Sequence, residues 1–248
     1  MRPDQLGDYR VPSDARLHPD GVRVSFVVTR MDLEGDRYLR TIWLWDGENA
    51  RPLTSGEADT TPRWSPDGTS LAFLRKGPEE TDMPQVAVLP VDGGEASVIT
   101  DFDLGALEIA WSPDGDRLAV VAAEWCDEWK GMSPEDRARA PRRVTELSYR
   151  FDGRGWIHDK RSHVWSIDPT AETEPTCLTP GDYNEMQIAW APDGSEIAFI
   201  SARHGERFID PGSQVWTVPA AGGEASAATG VGTWSLPSYD RSGTLCAI

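Results

Sequence analysis

One string recurs along this chain and limits what it can fold into. Residues 63–74 read RWSPDGTSLAFL, residues 110–121 read AWSPDGDRLAVV and residues 189–200 read AWAPDGSEIAFI. A string repeated within one chain marks a repeated structural unit, and its period points to the architecture. The anchor aspartates of Pro-Asp-Gly, Asp20, Asp67, Asp114 and Asp193, stand 47, 47 and 79 residues apart. A degenerate copy, YDRSGTLCAI, places Ser242 at the anchor 49 residues after Asp193. Three residues before each anchor stand Leu17, Trp64, Trp111, Trp190 and Tyr239. After each turn comes a large apolar, a small and a large apolar residue, as in Leu71-Ala72-Phe73 and Ile197-Ala198-Phe199.

Each copy has the chemistry of a hairpin. Proline presets φ at the second turn position, aspartate bonds its own backbone, and Gly21, Gly68, Gly115 and Gly194 are expected at φ > 0. These eight aspartates and glycines are therefore read as turn formers, not catalysts. A second strand pair follows in each copy, as in QVAVLPVDGGEASVIT, and ends on Thr54, Thr100, Thr179 or Thr229. Four strands in a unit of this length predict an all-β fold, a β-propeller of four-stranded antiparallel blades. A β-sandwich also spaces strands regularly, but it has no reason to repeat its sequence. The blades fall at about 10–57, 58–104, 105–183, 184–233 and, cut short, 234–248. About four and a half blades do not close a ring of whole blades, so the expectation is an incomplete propeller with further sequence after Ile248.

The 79-residue spacing exceeds 47 by 32, and the other intervals fix the excess between the second and third strands of blade three, at about 124–162. Ser133-Pro134-Glu135-Asp136 predicts a helix start, with serine as N-cap and proline at the first helical position, and Pro141 ends it. VTELSYRF and RGWIH predict a hairpin turning at Asp152-Gly153. The insertion gathers Trp125, Trp129, Tyr149, Trp156, Arg142, Arg143, Arg150 and Arg161. Aromatics with arginines on a long loop suit recognition. They equally suit packing the insertion down.

Composition removes other classes. The formal charge of -17 over 248 residues repels phosphate backbones, so nucleic acid is not an expected partner. The first residues lack an apolar signal region and no apolar run could span a membrane. Three cysteines, Cys126, Cys177 and Cys246, do not suggest a disulfide framework, and a cytoplasmic location is expected. Cys246 occupies a position filled elsewhere by Val, Leu or Ile, which predicts a small buried hydrophobe. No Gly-x-Ser-x-Gly, P-loop or dinucleotide fingerprint occurs. His18, His158, His163 and His204 have no metal-ligand spacing, there is no Cys-x-x-Cys, and DLEGD at Asp32–Asp36 reads as a solvated turn. No catalytic residue, metal or cofactor is expected.

The unit W-S-P-D-G-x-x-[LI]-A-F is similar to the blade motif of TolB-like propellers and of the N-terminal propeller of prolyl oligopeptidase-family serine peptidases. The inserted LSYRFDGRGWIHDKRSHVWSID resembles the acylaminoacyl-peptidase-like branch, through Tyr149, Arg150, Asp152, Gly153, Gly155, Trp156, Arg161 and His163. That resemblance implies a propeller that covers the active site of a C-terminal α/β-hydrolase domain carrying a Ser-Asp-His triad. The propeller would admit short peptides, and no triad residue would lie in this chain. Arg150, Trp156 and Arg161 become the substrate-contact candidates. The alternative is a TolB-like propeller acting as a protein-interaction scaffold without enzymatic activity; a propeller-borne glycosidase would need paired carboxylates. Whether the protein forms a homo-oligomer stays open.

Overall fold

The computed structural model describes residues 3–147, 149–152 and 155–248. The chain divides into two compact units. The first comprises residues 1–101, 105–118 and 168–174, and the second the remainder. Each is built from antiparallel sheet.

In the first unit a 3-10 turn at Pro3–Asp8 precedes β1 (Val11–Leu17), β2 (Val24–Asp32), β3 (Arg37–Trp45) and β4 (Ala50–Pro52), which lie side by side in chain order. The next copy repeats this order with β5 (Asp59–Trp64), β6 (Ser70–Arg75), β7 (Gln85–Pro90) and β8 (Ser97–Val98), and β9 (Ala106–Trp111) packs beside it. Val27, Ile42, Leu44, Trp64, Leu71, Phe73, Ala87 and Leu89 form one core. Copies are also stitched by polar contacts. The Trp64 indole Nε1 donates to the Arg16 carbonyl at 3.1 Å, and Trp111 Nε1 donates to the Arg63 carbonyl at 2.9 Å. The recurring tryptophan thus combines apolar bulk with one directed hydrogen bond to the preceding copy.

The second unit takes in β10 (Leu118–Trp125) from Ala119 onward, then α1 (Pro134–Arg139), β11 (Arg150–Phe151), β12 (Gly155–Trp156), β13 (Lys160–Ile167) and β14 (Thr176–Cys177). A complete sheet follows: β15 (Glu185–Trp190), β16 (Glu196–Ser201), β17 (Gln214–Pro219) and β18 (Ser226–Ala227), again in chain order. The hairpin β19 (Ser238–Tyr239) and β20 (Leu245–Cys246) comes last. Ala119, Val164, Leu178, Ile197, Phe199 and Val218 make its principal core. Among the described residues no helix is long and apolar enough to cross a membrane.

The turns follow from local chemistry. Gly21, Gly68, Gly115 and Gly194 have φ of 76°, 74°, 80° and 73°. Asp67 Oδ1 accepts from the Thr69 N–H and from the Ser65 hydroxyl, whose oxygen accepts the Ser70 N–H. Ser112 and Asp114 repeat this lattice, and Asp193 accepts the Ser195 N–H. The recurring threonine ties its copy together over a longer span of 12 to 15 residues. Thr54, Thr100, Thr179 and Thr229 each accept, at Oγ1, the backbone N–H of Ile42, Val86, Val164 or Val215 on the third strand.

The fifth copy departs from expectation. Tyr239 pairs with Leu245 and Ser238 with Cys246, whereas Trp64 pairs with Leu71 and Trp190 with Ile197. Its turn is one residue shorter, because Asp240 rather than the anchor Ser242 gathers the turn: its Oδ1 accepts from the Ser242 and Thr244 N–H groups. Sheet faces alternate with period two, so a one-residue slip exchanges them. Leu245 and Ala247 pack on Ala198, Ile200 and Val215, and Cys246 is exposed instead of buried.

A second feature has no sequence cue. The first strands carry β-bulges, between Ser13 and Arg16, Thr60 and Arg63, and Met186 and Ala189. At them Asp14, Thr61 and Gln187 sit at φ of 44°, 57° and 56°. That left-handed region normally favours glycine, and aspartate, threonine and glutamine hold it here.

Candidate functional site: the blade-three insertion

The insertion lies between β10 and β13. Ser133 is the N-cap of α1: its side chain accepts from the Asp136 N–H, and Pro134 occupies the first turn. The helix stops at Ala140, extended at φ -62°, ψ 135°, as the residue before Pro141 must be. The strands β11 and β12 pair Arg150 with Trp156 and Phe151 with Gly155, a shorter hairpin than the sequence suggests. Gly153, half of its expected turn, lies outside the described residues.

Within the second unit, cation–π contacts and ion pairs hold this segment down. Arg137 and Lys160 sit over the Trp125 ring at 4.3 and 5.1 Å. Arg142 is placed over Trp129 at 4.7 Å and over Trp156 at 5.0 Å, and it pairs with the buried Asp159 at 3.3 Å. Trp129 is buried. Such contacts gain strength where water is excluded.

The sequence-predicted residues separate here. Arg161 is buried, and its donors are spent inside the protein. Nε donates to Asp182 at 2.7 Å, Nη2 to Glu146 at 3.0 Å, and Nη1 to the carbonyls of His158 and Lys160. Asp182 also receives Arg207 at 3.1 Å, and the Leu147 N–H donates to the Phe208 carbonyl at 3.1 Å. Arg150 and Trp156 are placed differently. Arg150 is exposed and stands over the Trp156 ring at 5.8 Å; Trp156, half-buried, also meets Tyr149 at 5.8 Å and His158 at 5.7 Å. Arg161 is thus spent within the protein and Arg150 is open, while Trp156 stands between them, holding Arg142 on its ring and remaining partly exposed. Sequence composition could not separate them, because partners such as Asp159, Asp182 and Arg207 lie well along the chain.

His163 belongs to a buried knot. Its Nδ1 lies 3.0 Å from Glu185 Oε2, and the fully buried Glu185 also accepts from Arg203 at 2.7 Å, Ser201 at 3.2 Å and Thr179 at 3.3 Å. In the first unit Asp59 holds the matching position, neutralised by Arg75 through two 2.8 Å bonds. A buried carboxylate needs such partners to remain tolerable, so this knot fastens the sheet. His18 likewise packs edge-on against Trp64 at 4.6 Å. Burial raises the Cys126 thiol and pushes Cys177 up to about 11, which makes both poor nucleophiles. Among the described residues no cluster of three His, Cys, Asp or Glu could hold a metal.

No family model matches the chain. It is 32% identical over 196 residues, 75% of its length, to an uncharacterized peptidase, YuxL, of Bacillus subtilis, and that match takes in 29% of the peptidase. The chain spans under a third of that curated relative. Its fold matches Pyrococcus horikoshii acylaminoacyl peptidase with a TM-score of 0.69 at 20% identity, over 92% of this chain and 34% of that one. It also matches the β-propeller domain of the Trilobed protease from Pyrococcus furiosus with a TM-score of 0.58 at 19% identity, over 91% of this chain and 59% of that one.

Proposed function

We propose that this chain is a propeller portion of a peptidase of the prolyl oligopeptidase family, that it selects short peptides for a hydrolase domain and that it performs no hydrolysis itself. The observation that carries this reading is the division of labour within the insertion. Arg142 and Arg161 are consumed in fixing its pose, while Tyr149 and Arg150 are exposed beside the partly exposed Trp156, whose ring also receives Arg142. A rigid aromatic surface contacts a peptide with little ordering of its own side chains. Arg161 then acts as a positioning residue, and Arg150 and Trp156 as the contacts. Acyl transfer would use a nucleophile and base supplied by the hydrolase domain.

Three measurements test this. The 248-residue chain alone should not turn over acyl-amino-acid or aminoacyl chromogenic substrates; turnover would refute the division. The gene that encodes this chain should also encode Gly-x-Ser-x-Gly, whereas a gene without that motif would favour the scaffold. In the joined polypeptide, Trp156→Ala should raise KM for a tripeptide about tenfold with kcat nearly unchanged, the pattern of lost uniform binding. An unchanged KM would remove Trp156 from the contact surface.

A further inference from the structure

A cleft of about 230 Å³ opens in the second unit beside the insertion, lined by Trp129, Arg143, Thr145, His158 and Phe208 among others. Its charged residues are Glu128, Arg143, Glu146, Arg161 and Asp182. Glu146, Arg161 and Asp182 are tied to one another. Arg143 is exposed and, among the described residues, has neither an ion pair nor a stacking partner, unlike the neighbouring Arg142. The segment that carries it is anchored on both sides. Arg142 is fixed by Asp159, Trp129 and Trp156, Glu146 by Arg161, and the Leu147 N–H by the Phe208 carbonyl. Arg143 thus presents an unspent guanidinium at the rim of a small cleft that Phe208 and Thr145 also line.

We propose that Arg143 binds a carboxylate of the peptide, with the adjoining apolar side chain seated against the half-buried Phe208. This rests on the peptide-selecting reading above and names what is selected. Size supports it: pockets for drug-sized ligands run from about 300 Å³ upward, so this one suits a single residue at a peptide's end. Charge narrows it further. Glu146 and Asp182 are paired with Arg161, which leaves Arg143 and Glu128 as the open charges of the cleft, and the chain's -17 disfavours a multiply charged anion such as phosphate more than a single carboxylate. A single carboxylate gains the planar two-pronged hydrogen bonding that guanidinium offers, and a peptide's ammonium suits Glu128. The carboxylate can be the peptide's C-terminus or an acidic side chain, and both present the same group.

The test is calorimetric titration of the 248-residue chain with Ala-Ala-Phe, Ala-Ala-Phe-amide, Ala-Ala-Glu-amide and inorganic phosphate. Ala-Ala-Phe is expected to bind at least tenfold more tightly than its amide. Arg143→Gln should erase that difference, Arg143→Lys should restore part of it, and phosphate should not bind. Recovery of affinity with Ala-Ala-Glu-amide would assign the site to acidic side chains; no recovery would assign it to the C-terminus. Equal binding of Ala-Ala-Phe and its amide, or an Arg143→Gln chain that still discriminates, overturns the inference. If Trp156→Ala still weakens every peptide in that case, the wider selecting role stands without it. No binding of any peptide overturns the inference as well, and the joined polypeptide's KM then judges the wider role.

Discussion

Identical residue types in this protein do different work, and substitutions should expose the difference. Gly21 and Gly68 share a left-handed φ. A Cβ on Gly21 would meet nothing within 4 Å, whereas one on Gly68 would run into the ring of the buried His18. Gly21→Ala should therefore cost about 1 kcal/mol, the conformational penalty alone, and Gly68→Ala about 3 kcal/mol, with the histidine displaced as well. Equal denaturation midpoints would contradict this. Thr100→Val keeps the shape but strips the acceptor from the Val86 N–H and the donor to Gln85. Leaving a buried N–H unmet costs about 1–3 kcal/mol, and urea unfolding will read it. The thiols differ in the same way: Cys246 should be the one that a disulfide reagent labels quickly, with Cys126 and Cys177 slow behind their burial. Cys246→Ser should remove the fast phase.

At the scale of the element, the turns link pH to stability. Hydrogen bonds from Ser65 and Thr69 hold the Asp67 carboxyl below its usual range. Those from Ser112 and the Asp116 N–H do the same for Asp114, and those from Ser195 for Asp193. A carboxylate whose folded pKa is depressed stabilises the fold above the unfolded value, about 4. That contribution is lost as pH falls through the lowered folded values. Melting temperature should drop as pH goes from about 5 toward 2, and a chain with Asp67, Asp114 and Asp193 all changed to Asn should show a shallower drop. An equal slope would show that the acid response comes from elsewhere. The hairpin turns and the capped helix were legible because each depends on neighbours within a few positions, and the threonine was legible because it recurs, although its N–H partner lies 12 to 15 residues back. The bulges were not, since Asp14, Thr61 and Gln187 carry no common signature. Nor was the slip of the last hairpin, where Asp240 displaced Ser242 as the turn's acceptor.

For the whole molecule, repetition made the architecture readable long before any site was. Five echoes of one string fix the sheet type, and the likeness to propeller domains agrees with them. The site resisted because Arg142, Arg143, Arg150 and Arg161 look alike in composition yet divide into held and open groups only once distant partners arrive. If the insertion's pose matters to selection, Arg161→Ala in the joined polypeptide should broaden the range of peptide lengths accepted while the 248-residue chain keeps its strand content by circular dichroism. Unaltered length preference would limit Arg161 to local packing.

The left-handed kinks in the first strands carry one more consequence. β1, β5 and β15 each border their sheet, with one side lacking a strand partner within it. A straight border of that kind is a template on which a stray strand can grow. The kinks at Asp14, Thr61 and Gln187 break the spacing of amides and carbonyls along those borders, so straightening them should make the chain more prone to aggregate.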